Sequence, residues 1–587
     1  MRSREIEIKS ERIDEMPVLV ERLKQMKVAE IIDETVGDHH LWEGLSKGWT
    51  SLVWLAHMMM TGDHRKVHVR RILNGCRESL SRLLGVEVRE SEFNDDRLGR
   101  ILWALGQGGR AEEIEQKMNS QCIRYYGLST HRAVIRTDSS SVSVYGGGDE
   151  GGLMVHGYSK DHRPDLLQFK VLMTTLDPLG IPLVTQLVKG NASDDGLYIP
   201  AYDKAVKSIG TKVMSVGDSK MGAIGTRAHI QRQGGCYITP LAKIGKVTQQ
   251  LDAWVSAALS GKVRVQILKS EEQKKIGRAY ELSRKQEYSD ETGQTTVWTE
   301  RVIVAQSDDY ARSQEQSLRE RVKATQVAIL ALTAKTGRGH RHYRSADELQ
   351  ASCQGLIEQG DVAGLLDIQI KEECQLRPVH QRPGRPAKDA QPQMIEERRF
   401  VIKKVSVNKT LLGNRIARLG WRVYVTNATS EEWSLHQVIL AYRGEWRIEQ
   451  GFHQLKGSPL SIAPVYLSKP EHIRGLLCLL SLALRALTLI QFTLSQALKA
   501  TNQTIKGISS AYPHHITDNP SPSLILNAFK NITLTTIHQA GQPFVHLPAL
   551  NPLQQNLLAL LGLPADLYTR LTKPLYSPNS HLSFSER

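Results

Sequence analysis

The sequence predicts a multidomain α/β protein with helical flanks around a strand-rich centre. Three observations carry that reading. The chain has 587 residues, too many for one hydrophobic core, so three to five domains are expected. Residues 1–115 show no convincing strand alternation, while "MPVLVERLKQMKVAEIIDETV" and "GWTSLVWLAHMMM" repeat apolar residues at helical spacing. From residue 130 the pattern becomes strand, strand, strand, helix, strand, helix, strand.

Taken in order, residues 1–120 form a helical domain whose "TGDHRKVHVRRIL" places His64, Arg65, Lys66, Arg70 and Arg71 in one basic cluster. Residues 130–239 form the first part of a core. There "AVIRTDSSSVSVY" is β-rich, and "QFKVLMTTLDPLGIPLVTQLV" is a hairpin around Asp177-Pro178-Leu179-Gly180. "DDGLYIPAYDKAVKSIG" is a helix with an acidic start, and "TKVMSVGDSK" is a short buried strand ending in a Gly-Asp turn. A helix near 223–232 and the strand "GCYITPL" follow. Residues 240–419 read as a separate α+β domain: strands "VRVQILKS", "TTVWTERVIVAQ" and "RFVIKKVSV", a long helix, a basic run at 335–344 and a Pro-rich stretch at 377–392. The core resumes over 420–500, with the strand "GWRVYVTNA" and a helix over "AYRGEWRIEQGFHQLKG". Residues 501–587 read as a helical extension with a frayed end.

Composition narrows the partner. A net charge of +15 favours an anionic one, nucleic acid first. Six cysteines without a CxxC pair speak against a zinc ribbon or disulfide framework and for a reducing interior, so a cytoplasmic location is expected. The N-terminus "MRSREIEIKSERIDEMP" is charged throughout and is no signal peptide. The most apolar stretch, 473–494, carries Arg474 and Arg485. An arginine near the centre of a span costs about 3 kcal/mol. A buried core helix is therefore expected there, with no membrane partner.

Several motif matches fail on context. "GLSKG" lacks the strand that precedes a nucleophile elbow. "GGGDEG" lacks a following helix, and its two acids would repel a pyrophosphate. "RPGRP" reads as linker.

Three carboxylates pass the same scrutiny. Asp138 in "IRTDSSSV" and Asp218 in "MSVGDSK" each sit where a strand is expected to give way to a loop, solvated on one side and held on the other. Glu449 lies on a helix that would pack beside them, and at 100° per residue it aligns with Tyr442, Glu445 and Lys456. Converging carboxylates repel one another unless cations intervene. Two Mg²⁺ ions, with Mn²⁺ able to substitute, would relieve the repulsion and activate a water or 3′-hydroxyl against a phosphodiester.

These residues resemble the DDE transposases of bacterial insertion sequences, in particular the group marked by Tyr-x2-Arg-x3-Glu-x6-Lys. Tyr442, Glu449 and Lys456 fall at those spacings, "RTDSS" and "VGDSKMG" look like the two aspartate segments, and "GYSKDHRPDLLQFK" resembles one branch of the group. The resemblance implies an RNase H-like core interrupted by a β-rich insertion. It also implies cut-and-paste transposition: metal-dependent cleavage at the element's ends, then strand transfer. Asp138, Asp218 and Glu449 would be the catalytic and metal-binding residues. Tyr442 and Lys456 would touch DNA, and the 64–71 cluster would recognise the ends. Trp298 would be a candidate for stacking on an extrahelical base. The expected partners are terminal inverted repeats, target DNA and a second copy in a synaptic homodimer. One departure stands out: the family's arginine is Glu445 here, so Lys160 and Arg163 in "SKDHR" are the candidates to supply the missing cation. A stand-alone nuclease on the same fold and an inactive, transposon-derived DNA-binding protein are the alternatives.

Overall fold

A computed structural model describes residues 7–146, 152–209, 213–334, 342–379, 393–509, 511–539 and 542–573. "GGGDEG" past its first glycine, most of the basic run 335–344, "RPGRP" and the terminal "SPNSHLSFSER" lie outside the described residues. The chain forms two compact units. One comprises Met1–Thr239, Gln286–Trp298 and Val438–Arg587, the other Pro240–Lys285 and Thr299–Gln437.

The first unit opens with a strand, β1 (Glu7–Arg12), in a region read from sequence as helical. Its partner is β15 (Thr533–Gln539), which runs antiparallel with Ile8 opposite Ile537 and pairs in turn with β16 (Gln542–His546). "EIKSER" carries no apolar alternation because its one buried side chain is a glutamate, Glu11. That carboxylate accepts from the Glu78 and Ser79 amides in the first turn of the helix Arg77–Leu84. A partner some 520 residues away leaves no local signal. The C-terminal stretch is likewise mixed rather than helical, holding the two-residue strands β13 (Ile505–Lys506) and β14 (Ile516–Thr517), then β15 and β16, beside short helices at Pro522–Asn527 and Pro552–Leu560.

Seven helices precede the core: α1 (Met16–Gln25), α2 (Val28–Val36), α3 (Lys47–Thr61), α4 (Lys66–Asn74), α5 (Arg77–Leu84), α6 (Asp95–Gly106) and α7 (Arg110–Tyr125). Caps written in the sequence delimit them. Ser46 accepts from the Trp49 amide to start α3, and Gly62 in the left-handed region ends it. Asn94 caps α6 in the same way.

The strands that follow are β2 (Val134–Val144), β3 (Leu167–Leu176), β4 (Ile181–Lys189), β5 (Met214–Val216) and β6 (Cys236–Pro240), with α8 (Tyr198–Ile209) and α9 (Ile224–Arg232) between the last three. They lie in the order β4-β3-β2-β5-β6. β2, β3 and β4 are antiparallel, while β2–β5 and β5–β6 are parallel. A meander joined to parallel strands through helical crossovers is the strand-and-helix order read from the sequence.

The second unit contains α10 (Lys246–Leu259), the strands β7 (Gln266–Lys269) and β12 (Trp421–Thr426), and the parts of β8 (Lys275–Ser289) up to Lys285 and of β9 (Thr295–Ser307) from Thr299, in the order β12-β9-β8-β7. A separate hairpin, β10 (Leu366–Val379) with β11 (Gln393–Val407), packs with α11 (Asp308–Ala334), α12 (Ala346–Gln359) and α13 (Lys409–Ala417). Leu318, Val322, Ile329, Leu349, Cys353 and Val405 form their core.

The segment 441–457 is not one helix. α14 (Leu435–Arg443) stops, Gly444 and Glu445 form a turn, and α15 (Trp446–Lys456) begins anew. The long α16 (Pro470–Thr501) is the one helix among the described residues that is long and apolar enough to cross a membrane, and it is packed inside its unit. Arg485 on it is fully buried, bonded to Ser481, to Glu115 at 2.9 Å and to Asn119 at 3.2 Å. α16 crosses α6 so closely that a Cβ on Gly475 would collide with the Leu102 carbonyl, whose carbon lies 2.8 Å away.

Candidate active site

Register brings the two aspartates together. β5 is three residues long and pairs through Val134–Met214, Ile135–Ser215 and Arg136–Val216. Two residues past the last pair, Asp138 and Asp218 come level at the point where β5 has ended and β2 runs on. Asp138 therefore lies mid-strand rather than at a strand end, opposite Met173 of β3. Its accessibility comes from the shortness of its neighbour. Burial raises its carboxyl pKa, Lys160 opposes the rise, and Asp218 adds to it.

Each aspartate is held by its surroundings. The Ser139 amide donates to Asp138 at 2.7 Å, and the Lys160 ammonium lies 3.3 Å from Asp138 Oδ1 and 2.6 Å from the Ser139 carbonyl. Asp218 accepts from the Tyr198 hydroxyl at 2.6 Å and the Lys220 amide at 2.9 Å. Burial and the Asp218 charge push the Tyr198 phenol far up, so it remains a donor. Tyr198 gave no signal in the sequence beyond its place at the start of an apolar helix.

Glu449 reaches this level because α15 packs on β2 and β3. Gly451, two residues on, allows the close approach: its missing Cβ faces Met173 Cε at 2.9 Å, on the residue paired with Asp138. Glu449 is exposed. Glu445 is half-buried, its pKa raised first by burial and then by the charges of Asp138 and Glu449, with a Tyr442 hydrogen bond opposing. The residue that replaces the family's arginine thus adds a fourth carboxylate to the group.

Tyr442 requires a correction. It is 7% exposed and bonded to Glu445, so it holds that carboxylate and offers DNA no face. The break after Arg443 turns it inward, where a continuous helix would have aligned it with Glu449. Lys456 pairs with Asp161 at 2.5 Å, and Arg163 forks onto Asp165 at 2.9 and 2.7 Å beside the Tyr145 ring. The loop carrying "SKDHR" therefore meets both Asp138, through Lys160, and the end of α15, through Asp161.

Sequence reasoning missed Arg136 altogether. It is 2% exposed, forks onto Asp177 at 2.9 and 2.6 Å, and donates to the Ala441 carbonyl at 2.5 Å and the Tyr442 carbonyl at 3.5 Å. Arg447 approaches the same Asp177 at 3.4 Å, so it belongs to this cluster.

The remaining candidates divide. Arg65 pairs with Asp63, Lys66 with Asp95 and Arg70 with Glu90, while Arg71 is exposed and makes no ion pair among the described residues. Trp298 is corrected: it is 5% exposed, its indole N–H bonded to the Tyr237 hydroxyl at 2.8 Å. It is a core residue: along the alternating start of β9 it turns inward between the exposed Val297 and Thr299.

The donor set suits a hard divalent cation, being carboxylate oxygen throughout. Among the described residues no three His, Cys, Asp or Glu side chains converge closely enough to hold an ion. The Lys160 ammonium serves as local counter-charge to Asp138.

A family model described as "Transposase DDE domain" matches residues 130–485, from the start of β2 into α16 and across all three carboxylates. The chain belongs to the transposase DDE-domain family. Such transposases are polynucleotidyl transferases that generally use divalent metal ions. Among solved structures, a piggyBac transposase in a synaptic complex with hairpin DNA is similar over 48% of this chain, at 10% identity and a TM-score of 0.24. The chain spans 60% of that neighbour's length. No curated protein matches significantly.

Proposed function

We propose that this protein is the transposase of an insertion sequence, cutting DNA at the element's terminal inverted repeats and joining the ends to target DNA as a synaptic homodimer. In this reading residues 130–239 and 420–500 make up an RNase H-like core, and residues 240–419 are its insertion. Asp138, Asp218 and Glu449 would hold Mg²⁺, which when bound supplies Lewis-acid activation of the attacking and leaving oxygens. The protein's own contribution is positional. The sheet fixes Asp138 and Asp218, the Tyr198 hydroxyl and Lys220 amide orient Asp218, and α15 carries Glu449 to their level. Lys160 is placed to move from Asp138 to a scissile-strand phosphate once another cation neutralises the carboxylates. Lys456, Arg163 and Arg71 supply further phosphate contacts. The observation that carries this reading is the register that sets Asp138 level with Asp218 while the Glu449 helix packs on the same strands.

Purified protein incubated with DNA carrying the element's ends and Mg²⁺ tests it. Asp138→Asn, Asp218→Asn and Glu449→Gln should each abolish cleavage and leave end binding within a few-fold, because affinity rests on cationic contacts elsewhere. Cleavage above a tenth of wild type in all three variants would overturn the assignment. Cleavage without joining would identify a nuclease instead.

A further inference from the structure

We infer that Arg136 is a positioning residue that fixes where the Glu449 helix starts relative to the Asp138 strand. This rests on the reading of Asp138 and Glu449 as metal ligands. Four observations support it. Arg136 precedes Asp138 by two residues on β2, so both side chains leave the same face of the strand. Its guanidinium bonds the Ala441 and Tyr442 carbonyls in the last turn of α14, the second of which also accepts from the Glu445 amide at 3.2 Å. Asp177, in the turn between β3 and β4, holds that guanidinium by a two-pronged contact and leaves no freedom of rotation. At the interruption itself, a Cβ on Gly444 would collide with the Arg136 and Arg447 guanidiniums, Arg136 Cζ lying 2.9 Å away.

Together these make a strap. β2 is tied to the end of α14, the chain turns against the strap at Gly444, and α15 restarts after Glu445, whose carboxylate feels the charges of both Asp138 and Glu449. Arg136 touches no reacting atom in this arrangement. Its effect is to set the separation between two carboxylates that lie 311 positions apart (449 − 138). The two carbonyls need a planar fork; a lysine can satisfy Asp177 or one carbonyl but cannot span all three.

The test uses the full chain with Mn²⁺ as probe, binding being followed by the electron paramagnetic resonance of free Mn²⁺. Removing Arg136 alone would leave Asp177 with only the longer Arg447 contact, so the variant is the charge-balanced pair Arg136→Met with Asp177→Asn, beside Arg136→Lys. The expected result for the pair is a melting temperature within a few degrees of wild type, end-DNA binding within two-fold, and Mn²⁺ affinity and cleavage each reduced about ten-fold or more. Arg136→Lys should lose Mn²⁺ affinity by at least three-fold despite keeping its charge. Wild-type Mn²⁺ affinity in the pair would overturn the inference. So would full rescue by lysine, which would make the effect one of charge. Wild-type protein that binds no Mn²⁺ would instead defeat the active-site reading itself, so the two failures are distinguishable.

Discussion

Two glycines on buried helices should respond in opposite directions to the same substitution. Gly475 on α16 faces backbone: an added methyl would collide with the Leu102 carbonyl oxygen, and would lie 2.8 Å from its carbon and 2.9 Å from its Cα. Neither helix can rotate that carbonyl away without breaking its own hydrogen bonds, so α6 and α16 must part. Overpacking of this kind costs about 1–3 kcal/mol, and the upper half applies because backbone meets backbone. Alanine returns up to about 1 kcal/mol of helix propensity. Gly475→Ala should therefore destabilise by about 1–2 kcal/mol. Gly451 on α15 meets only the Met173 methyl at 2.9 Å, with Met173 Sδ next at 3.8 Å. That methyl is the far end of a flexible side chain, so Gly451→Ala should be neutral or stabilising by up to about 1 kcal/mol. Differential scanning calorimetry of both variants beside wild type measures the contrast. A fall of about 1–2 °C is expected for Gly475→Ala and none for Gly451→Ala, the unfolding entropy of so large a unit keeping the shift small. Equal shifts, or a higher melting temperature for Gly475→Ala, would refute the inferred closeness of the α6–α16 crossing.

Two further predictions concern charge. Lys456→Ala should reduce cleavage by ~10- to 100-fold, equivalent to about 1.4–2.7 kcal/mol of transition-state stabilisation, because the ammonium anchors the "SKDHR" loop through Asp161 and, in the proposed function, would grip phosphate; single-turnover cleavage rates measure it. Burial lowers the pKa of His57 in α3 from 6.5 to about 4. The unfolded chain therefore takes up this proton first as pH falls, so stability is lost from about pH 6.5 downward and the loss levels off near pH 4, a term of order 3 kcal/mol. Melting temperature against pH should flatten over that window in His57→Leu.

Much of the core was legible because its signals are local. The "DPLG" turn and the β-branched runs each act over a few residues, and the order of strands and helices follows from them, although α8 begins only at Tyr198, past the two acids read as its start. Asp138 and Asp218 were findable for the same reason: each sits in a short stretch whose composition changes character. What escaped depended on distant partners. β1 is a strand only because β15 pairs with it, and its buried glutamate caps a helix instead of filling a core. The break at Gly444 is invisible to a helical wheel, since glycine alone costs a helix only about 1 kcal/mol. It becomes decisive when two guanidiniums occupy the space beside it. The inward turn of Tyr442 follows from that break, and so does the placement of Arg447 on Asp177. Trp298 was a stacking candidate in the sequence although a strand tryptophan is more often core, and its indole bond to Tyr237 puts it in the core.

The interruption between α14 and α15 also bears on how this chain tolerates change. In an unbroken helix, one inserted or deleted residue anywhere upstream of Glu449 would swing it by about 100°, so the whole approach from Leu435 would be frozen in length. Here the angular reference for Glu449 is taken from β2 at the turn, not inherited from the helix before it. Single-residue length changes before Ala441 should spend themselves within α14 and leave the heading of Glu449 intact. The same change between Gly444 and Glu449 has no such buffer. Indels among relatives of this chain should therefore cluster on the N-terminal side of Ala441 and be absent from the five residues that follow Gly444 (449 − 444).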